Sequence, residues 1–355
     1  MMRILRVTIL FLLTALTCHS VAAQFKAANK PEDAGFSSVR LQAVRSWLEA
    51  NDTTAMMVIV DGKRVFEYGD VHKLSYLASA RKSLLALLYG KYVQQGTIRL
   101  DKTLKEVGID DVGGLSDQEL SATILDVISA RSGVYHPASN EGDATASAPP
   151  RNSQRPGSYF LYNNWDFNVA GTVFEKLTGK DIYDAFEQDL AKPIGMEDFD
   201  RGLQRRTGDP NKSKHLAYHF VLSTVDMARL GQLMLQGGLW NGVQVVPSEW
   251  IRRMTSLITP LNELEPVQNR ALGTGERWGY GYMTWVWDAP GSQGPLVGAF
   301  QASGYGGQFI TVVPSLKMVV AHKVDTFADS PHKMGKRFLQ TEYVATLQML
   351  INCRR

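Results

Sequence analysis

The chain contains little cysteine. Only two of its 355 residues are cysteines, Cys18 and Cys353. Cys18 lies in an N-terminal segment that we expect to be removed, so Cys353 would remain alone and no intramolecular disulfide could form. A protein without disulfides must depend on its hydrophobic core, and the roughly 330 remaining residues are enough to bury one.

The chain also lacks any strongly charged segment. Its formal net charge is +3, and its basic residues form no run longer than the pairs Arg205-Arg206 and Arg354-Arg355. Without a basic stripe we expect no nucleic-acid partner. The sequence has no Gly-x-Ser-x-Gly elbow, which argues against an α/β-hydrolase, and we find no internal repeat.

The apolar run at the N-terminus is short. Arg3 and Arg6 form a basic region, residues 7–17 are mainly apolar, and small residues at 21–23 precede Gln24. This order is typical of a Sec-type signal peptide spanning 1–23, and its removal with two arginines leaves a net charge of +1. So short a run favours cleavage over a retained anchor. We therefore expect a periplasmic or secreted protein with no stable membrane span after cleavage.

The most informative feature that is present is a Ser-x-x-Lys motif, Ser79 and Lys82, at the start of an apolar-periodic helix. Residues three apart on a helix have Cβ atoms roughly 5–6 Å apart, so the amine can reach the hydroxyl. The positive end of the helix dipole favours an ionised oxygen there. The pattern predicts a nucleophile with its base in one helical turn, although a capping serine and a solvated lysine would give the same letters.

The flanking segments predict a mixed fold. The Asp61-Gly62 turn between two apolar runs predicts a β-hairpin, and apolar periodicity predicts a helix from Ser79 to about Gln95, followed by mostly helical spacing to about residue 220. Strand patterns return at 280–287, 309–313 and 318–323, before a last helix over about 336–351. The long segment 137–157 lacks periodicity, and we expect a loop at the rim of a cleft. A helical block between two halves of one antiparallel sheet is an α+β arrangement.

Two further motifs follow Ser79 and Lys82 in order. They are Tyr162-x-Asn164 and the triplet Ala302-Ser303-Gly304, which precedes a strand. In this order the three motifs resemble those of the serine β-lactamase-like superfamily, which includes class C β-lactamases, D-alanyl-D-alanine carboxypeptidases, and related esterases and 6-aminohexanoate-dimer hydrolases. Family-like segments also occur at 123–134, 193–196, 223–231 and 238–247, so the resemblance runs from about residue 30 to the C-terminus.

The resemblance implies a β-lactamase/transpeptidase-like fold. Such a fold has an antiparallel sheet flanked by helices, an all-helical lobe, and an active site at the seam. We therefore expect residues 24–355 to form one serine hydrolase domain. Its sheet lobe would comprise about 24–78 and 221–355, and its helical lobe about 79–220.

The resemblance also implies roles at the site. Ser79 would be the nucleophile, and the backbone N–H groups of Ser79 and Tyr305 would form the oxyanion hole. A lysine amine has an ordinary pKa of about 10.4, so Lys82 could act as a base only if that pKa fell by roughly 3 units. Alternatively Lys82 stays charged and Tyr162 takes the serine proton. Asn164 would hold a substrate carbonyl or the Lys82 amine, unless it only caps a turn.

The third motif departs from the usual pattern. β-Lactamases and carboxypeptidases of this superfamily usually carry Lys or His where this chain has Ala302, and that cation helps to bind a substrate carboxylate. We therefore expect Ala302, Ser303 and Gly304 to line a site for neutral esters or amides, although an arginine elsewhere could replace the charge.

The expected function is hydrolysis of small esters or amides, without a cofactor or metal. The alternatives are a D-alanyl peptidase or β-lactamase, and a catalytically silent relative used for binding. The spacing of His215 and His219 suits two metal ligands on a helix, but no third ligand is evident, so we expect surface histidines. An alternating aromatic pattern over 278–287 predicts a strand with half of its aromatic side chains in the core, and the alternative is that one of them lines the wall of a cleft.

Overall fold

The computed structural model describes residues 25–51, 53–140, 142, 147–264, 277–289, 293–326 and 338–355. The predicted signal peptide, 1–23, lies outside these residues. So do residues 336–337, where the last helix was expected to begin.

The described residues form strands and helices in the following order along the chain. The strands are β1 (Ala55–Val60), β2 (Lys63–Gly69), β3 (Ser75–Tyr76), β4 (Arg205–Thr207), β5 (Ala217–His219), β6 (Val221–Leu222), β7 (Leu239–Trp240), β8 (Val243–Gln244), β9 (Trp278–Tyr280), β10 (Trp285–Trp287), β11 (Phe300–Gly304), β12 (Gln308–Val313) and β13 (Met318–Lys323). The helices are α1 (Ser38–Ala50), α2 (Arg81–Gln94), α3 (Leu104–Val107), α4 (Asp117–Leu120), α5 (Ile124–Ile128), α6 (Asn164–Thr178), α7 (Ile182–Phe186), α8 (Thr224–Leu235), α9 (Ser248–Met254) and α10 (Gln340–Asn352).

Seven strands form one antiparallel sheet in the order β2-β1-β13-β12-β11-β10-β9. Every residue of β1, β12 and β13 is buried, as expected for central strands covered on both faces. The sheet joins strands from both ends of the described chain, and most of the helices lie between them in sequence. The predicted α+β class and β-lactamase/transpeptidase-like fold are therefore confirmed, and the proposed lobe boundaries stay a prediction.

Helices cover the sheet closely on each face. At Gly231 in α8, an added Cβ would lie 2.3 Å from a methyl carbon of Val319 in β13, so the absence of a side chain allows helix and sheet to touch. From α10, the ring of Tyr343 stacks on Phe309 of β12, with centroids 4.0 Å apart. The central strands are thus held between two helices and have little freedom to shift.

The helix that carries the Ser-x-x-Lys motif is a core helix. All residues from Arg81 to Gly90 in α2 are buried. Side-chain hydrogen bonds, donated by α2 in one case and accepted by it in another, join this helix to its neighbours. The Trp250 indole donates to the Ala86 carbonyl at 2.7 Å, and the Tyr89 hydroxyl donates to the Ala170 carbonyl at 2.6 Å. A helix buried all round is rigidly placed, which suits a platform for a catalytic group.

The hairpin prediction is confirmed, and the prediction of one strand over 278–287 is wrong. The Asp61-Gly62 hairpin joins β1 to β2, with both turn residues at positive φ, as a type I′ turn requires. The aromatic pattern over 278–287 is not one strand, because residues 281–284 form a turn between β9 and β10. The aromatic positions step by two except between Tyr282 and Trp285, where the step is three. That step begins within the turn, and the prediction overlooked it.

Within the described ranges, no helix combines the length and apolar character needed to cross a membrane.

Candidate active site

Ser79 lies in a single 3-10 turn, Ala78–Ala80, that leads directly into α2. The Leu77 N–H donates to the Phe220 carbonyl at 2.9 Å, which anchors the start of this turn to the chain beside β3. Ala78 has a φ of 48°, a left-handed conformation that costs a residue with a side chain roughly 1–2 kcal/mol. Such strain persists only where the surroundings impose it. Its result is a half-buried serine at the N-terminal end of a helix.

The amine of Lys82 lies between the serine hydroxyl and three other groups. Lys82 is 1% exposed, and its Nζ donates to Ser79 Oγ at 3.1 Å and to Asn164 Oδ1 at 3.0 Å. The same nitrogen lies 3.8 Å from the ring centroid of Tyr162 and 4.2 Å from that of Phe167. The contact expected from the i, i+3 spacing is therefore present. An amide oxygen and two ring faces are groups that attract a cation.

Tyr162 comes just before α6, and its ring is held by other aromatic rings. Its centroid lies 4.9 Å from that of Phe167, 5.3 Å from that of Trp285 and 5.9 Å from that of Tyr280. Trp285 and Tyr280 belong to the hairpin β9–β10 at the edge of the sheet. The aromatic pattern that we expected to be mainly core is therefore also the wall that orients Tyr162 beside Lys82.

The two asparagines after Tyr162 divide their roles. Asn163 caps α6, because its Oδ1 accepts from the Trp165 N–H at 2.9 Å. Asn164 is the first helical residue, and its Oδ1 accepts from Lys82 while its Nδ2 donates to the Asn140 carbonyl at 3.1 Å. Of the roles considered for Asn164, the geometry shows contact with the Lys82 amine, and the capping role belongs to Asn163.

The third motif reaches the turn that carries Ser79 through Gly304. An added Cβ at Gly304 would lie 2.2 Å from the Leu77 carbonyl oxygen and 3.0 Å from the Ala80 nitrogen. Only glycine lets β11 pass so close to the backbone around Ser79. The next residue, Tyr305, starts the turn into β12 and is 48% exposed. The two residues expected to supply the oxyanion N–H groups, Ser79 and Tyr305, therefore lie on two turns in close backbone approach.

The other residues of the triplet differ in exposure. Ala302 is 1% exposed and Ser303 is half-buried. Ala302 lies two positions before Gly304 and so shares its face of β11, the face toward α2. A methyl group therefore occupies the position at which relatives are expected to carry a cation.

His322 was not predicted, and it supports the turn that carries Tyr305. Its Nδ1 lies 2.7 Å from the Gly307 carbonyl and its Nε2 lies 2.9 Å from Thr53 Oγ1. A carbonyl can only accept, so Nδ1 carries the proton and the Thr53 hydroxyl donates to Nε2. Complete burial lowers the pKa of His322 to about 4, and the ring is neutral at pH 7.

Lys323, the next residue, supports the strand pair β3–β6, which leads into the turn that carries Ser79. Its amine donates to the Ser75 carbonyl at 2.9 Å and to the Leu222 carbonyl, which are paired residues of β3 and β6. Burial lowers the pKa of Lys323 to about 7. The sequence signal for both residues was the pair of polar letters that ends the apolar run of β13. It could not be interpreted without knowing what lies at that end of the sheet.

The histidines that we expected on the surface are buried. His215 is 5% and His219 is 6% exposed, and β5 is a strand, so helical ligand spacing does not apply. The His215 Nδ1 lies 2.9 Å from the Thr172 hydroxyl, and burial lowers the pKa of His219 to about 3. Among the residues with described positions, no group of three or more His, Cys, Asp or Glu side chains could hold a metal ion.

The expected rim loop approaches the site at two described residues, Asn140 and Gly142. Asn140 lies in the segment 137–157, and its carbonyl accepts the Asn164 amide. At Gly142 an added Cβ would lie 2.9 Å from Asn164 Nδ2, so the loop passes directly over this asparagine. Residues 141 and 143–146 of the loop lie outside the described residues.

Comparison with known proteins places the chain in a family. A family model described as Beta-lactamase matches residues 46–339. An uncharacterized protein of Alkalihalophilus pseudofirmus is 24% identical over 272 residues, which cover 71% of this chain and 74% of that protein.

Solved structures show the same fold at low sequence identity. A provisionally assigned 6-aminohexanoate-dimer hydrolase from Bacillus anthracis has a TM-score of 0.65 at 20% identity, covering 93% of this chain and 87% of that one. A penicillin-binding protein from Bacillus halodurans has a TM-score of 0.61 at 14% identity, covering 86% and 99%. A family VIII carboxylesterase has a TM-score of 0.59 at 15% identity, covering 90% and 99%.

Proposed function

Since the chain belongs to the β-lactamase family of hydrolases, we propose that it is a serine hydrolase of small esters or amides that works through an acyl-enzyme on Ser79. The observation that carries the proposal is the 3.1 Å hydrogen bond from Lys82 Nζ to Ser79 Oγ. It couples the hydroxyl to a buried amine, which is the arrangement that an activated serine needs.

The proton of Ser79 has two candidate acceptors, Lys82 and Tyr162. The Lys82 amine lies against the Asn164 oxygen and two ring faces, all of which stabilise the ammonium form. An ammonium cannot accept a proton, so these contacts favour Tyr162 as the group that takes it, with its phenol ionised to a phenolate beside the Lys82 charge. Lys82 then holds the serine oxygen and offsets the negative charge that develops nearby. Lys82 and Tyr162 would act as one general acid–base unit.

The reaction would run in two steps. Ser79 Oγ attacks the carbonyl carbon of the substrate while its proton passes to the Lys82–Tyr162 unit, which returns it to the departing alcohol or amine. Water then attacks the acyl-serine, gives its proton to the same unit, and releases the acid while Ser79 recovers its hydroxyl. The N–H groups of Ser79 and Tyr305 would stabilise the oxyanion in both steps, and the close approach at Gly304 supports this arrangement.

The residue at 302 supports neutral substrates. Ala302 carries no charge, and its methyl group is buried on the face of β11 that points toward α2. A substrate carboxylate would thus find no ionic partner at this position, and a charge-assisted hydrogen bond is worth about 1.5–3 kcal/mol. We therefore place esters and amides without a carboxylate ahead of β-lactams and D-alanyl peptides.

The direct test compares three substrate classes and one variant pair. The protein from Gln24 onward is incubated with a p-nitrophenyl ester, nitrocefin and a D-alanyl dipeptide, and we expect the ester to be cleaved best. Ser79→Ala should abolish turnover, and a fluorophosphonate should label Ser79 alone in a mass spectrum. Ser83→Ala is the matched control, because it removes a buried hydroxyl from the same helix that donates to the Met283 carbonyl.

Two results would reject the proposal. Unchanged turnover in Ser79→Ala, or a label on another residue, would reject the nucleophile. No turnover of any substrate by the wild-type protein, together with no labelling, would favour the catalytically silent alternative.

We also propose that the protein is exported to the periplasm or secreted. The proposal rests on the basic, apolar and small-residue order of 1–23. Expression in a Gram-negative host followed by fractionation should give an exported protein that starts at Gln24, as N-terminal sequencing would show. An uncleaved chain in the cytoplasmic fraction would contradict it.

A further inference from the structure

Three asparagines, Asn164, Asn140 and Asn168, form a hydrogen-bonded series that leads away from Lys82. The Nδ2 of Asn164 donates to the backbone carbonyl of Asn140 at 3.1 Å. The side chain of Asn140 accepts in turn, because its Oδ1 lies 2.9 Å from Asn168 Nδ2. Asn168 lies one helical turn after Asn164 on α6 and is 1% exposed.

The series ends at a second cation on α2. The Arg81 Nη2 donates to Asn168 Oδ1 at 3.1 Å. Arg81 is 2% exposed, and its guanidinium carbon lies 4.4 Å from the centroid of the Tyr218 ring. Within the part of the chain that the structure describes, Arg81 forms no ion pair with a carboxylate. A buried cation without an acidic partner is costly to keep, so its contacts with the ring and the amide must compensate for the lost solvation.

The chemistry of these groups permits only one direction of hydrogen bonding. A guanidinium has donors only, so the oxygen of Asn168 must face Arg81 and its NH₂ must face Asn140. A backbone carbonyl has only acceptors, so the NH₂ of Asn164 must face Asn140 and its oxygen must face Lys82. Amide orientation is normally ambiguous between oxygen and nitrogen, and here the two ends of the series remove that ambiguity.

We propose that Arg81 is a positioning residue for the reaction, which through Asn168 and Asn140 holds the Asn164 oxygen toward Lys82 and thereby keeps the amine on Ser79. The inference rests on the proposed function in assuming that Ser79 and Lys82 carry the chemistry. Arg81 itself touches neither Ser79 Oγ nor Lys82 Nζ. It acts by fixing the loop residue Asn140 relative to both helices.

The first test removes the donor at the end of the series. Arg81→Met should lower kcat for a neutral p-nitrophenyl ester by about 10–100-fold, with KM changed less than about threefold. It should also slow labelling of Ser79 by a fluorophosphonate and shift the pH profile of kcat/KM, because the amine is no longer held. Arg81→Lys, which keeps a cationic donor, should recover part of the loss.

A second variant breaks the series in its middle without removing volume. Asn168→Asp has the same shape and retains an oxygen for Arg81, but it has no NH₂ to donate to Asn140. We expect a loss of the same size as in Arg81→Met. This variant keeps the proposal testable should Arg81→Met fail to fold.

The matched control is Arg229→Met. Arg229 is a buried arginine on α8, also over aromatic rings, with its Nη1 donating to the Ile194 carbonyl at 3.1 Å. Its removal should lower thermal stability as Arg81→Met does, and it should leave the pH profile and kcat within about twofold of wild type.

A double-mutant cycle decides between positioning and general stability. In an Asn164→Ala background there is no amide left to orient, so adding Arg81→Met should cost less than twofold in kcat. An equal loss in both backgrounds would overturn the proposal, as would wild-type kinetics in both Arg81→Met and Asn168→Asp. If Ser79→Ala retained turnover, the proposed function itself would fail, and that outcome is separate from the cycle.

Discussion

His322 Nδ1 lies 2.7 Å from the carbonyl oxygen of Gly307, and this bond joins the central strand β13 to the turn that carries Tyr305. The ring is completely buried and neutral, and protonation would place a charge where no carboxylate of the described residues forms an ion pair with it. The pH dependence of folding should therefore report on this contact.

The imidazole of His322 predicts a loss of stability in acid. Its pKa is about 4 in the folded protein and about 6.5 in an unfolded chain, so the unfolded state binds more protons between these values. The contribution of His322 to the free energy of unfolding is fully present above about pH 6.5. It is lost as the pH decreases to 4, by about 3 kcal/mol. His322→Gln should show a flatter dependence in urea unfolding at pH 7, 5.5 and 4. An unchanged difference between pH 7 and pH 4 would contradict it.

The proposed general acid–base unit of Lys82 and Tyr162 predicts that losses of kcat in variants of the two residues are not additive. Lys82→Ala and Tyr162→Phe should each lower kcat by roughly 10²–10⁴-fold, the usual range for loss of general acid–base catalysis. The double variant should be little worse than the poorer single one, since either change disables the unit. Steady-state kinetics with a p-nitrophenyl ester measures this, and fully additive losses would show independent action.

The control for this pair is Lys91→Ala. Lys91 lies on the same helix and pairs with Asp189 at 2.6 Å, but its side chain is 41% exposed. A charge change on α2 away from the site should leave kcat within about twofold of wild type.

The close approach at Gly304 predicts that even one methyl group is harmful. Gly304→Ala would place a Cβ 2.2 Å from the Leu77 carbonyl oxygen, so β11 and the turn that carries Ser79 must separate. Overpacking of this kind costs about 1–3 kcal/mol, and a displaced oxyanion donor costs about 10²–10³-fold in kcat. Thermal unfolding and ester hydrolysis measure the two effects.

Gly96→Ala is the control that separates the loss of stability from the loss of turnover. Gly96 also has a positive φ, but an added Cβ would meet nothing within 4 Å. It should lose stability and keep its turnover. Equal kinetics in Gly304→Ala and wild type would show that the contact has no role in catalysis.

Ala302 predicts the direction of a specificity change. Ala302→Lys should raise kcat/KM for nitrocefin relative to a neutral ester by on the order of 10–100-fold, the value of one charge-assisted contact. The ratio is measured because added bulk at a buried position harms both reactions. Ala302→Met adds similar bulk without charge and should leave the ratio unchanged. A wild-type enzyme that already prefers nitrocefin would contradict the argument.

Much of the fold was predictable because its signals are local. The hairpin at Asp61-Gly62 follows from residues that accept a positive φ, and β12 and β13 follow from uninterrupted apolar runs. The ordered motifs around Ser79, Tyr162 and Gly304 indicated the family and its fold. The edge hairpin β9–β10 was missed because the only break in its aromatic alternation is one step of three, from Tyr282 to Trp285, and a bulge within a single strand would give the same step.

The candidate site divides in the same way. The sequence by itself determined that Ser79 and Lys82 could meet, because a spacing of three at the start of a helix places two side chains within reach of each other. Only the tertiary structure decided that the Tyr162 ring lies over the amine, that Asn164 rather than Asn163 contacts it, and that His322 bonds to the turn that carries Tyr305. The contacts of these side chains join residues up to 269 positions apart, and many of their partners are backbone carbonyls and amide groups that every segment of a chain possesses. Periodicity and spacing describe one element at a time, so they cannot select such partners before the elements are packed.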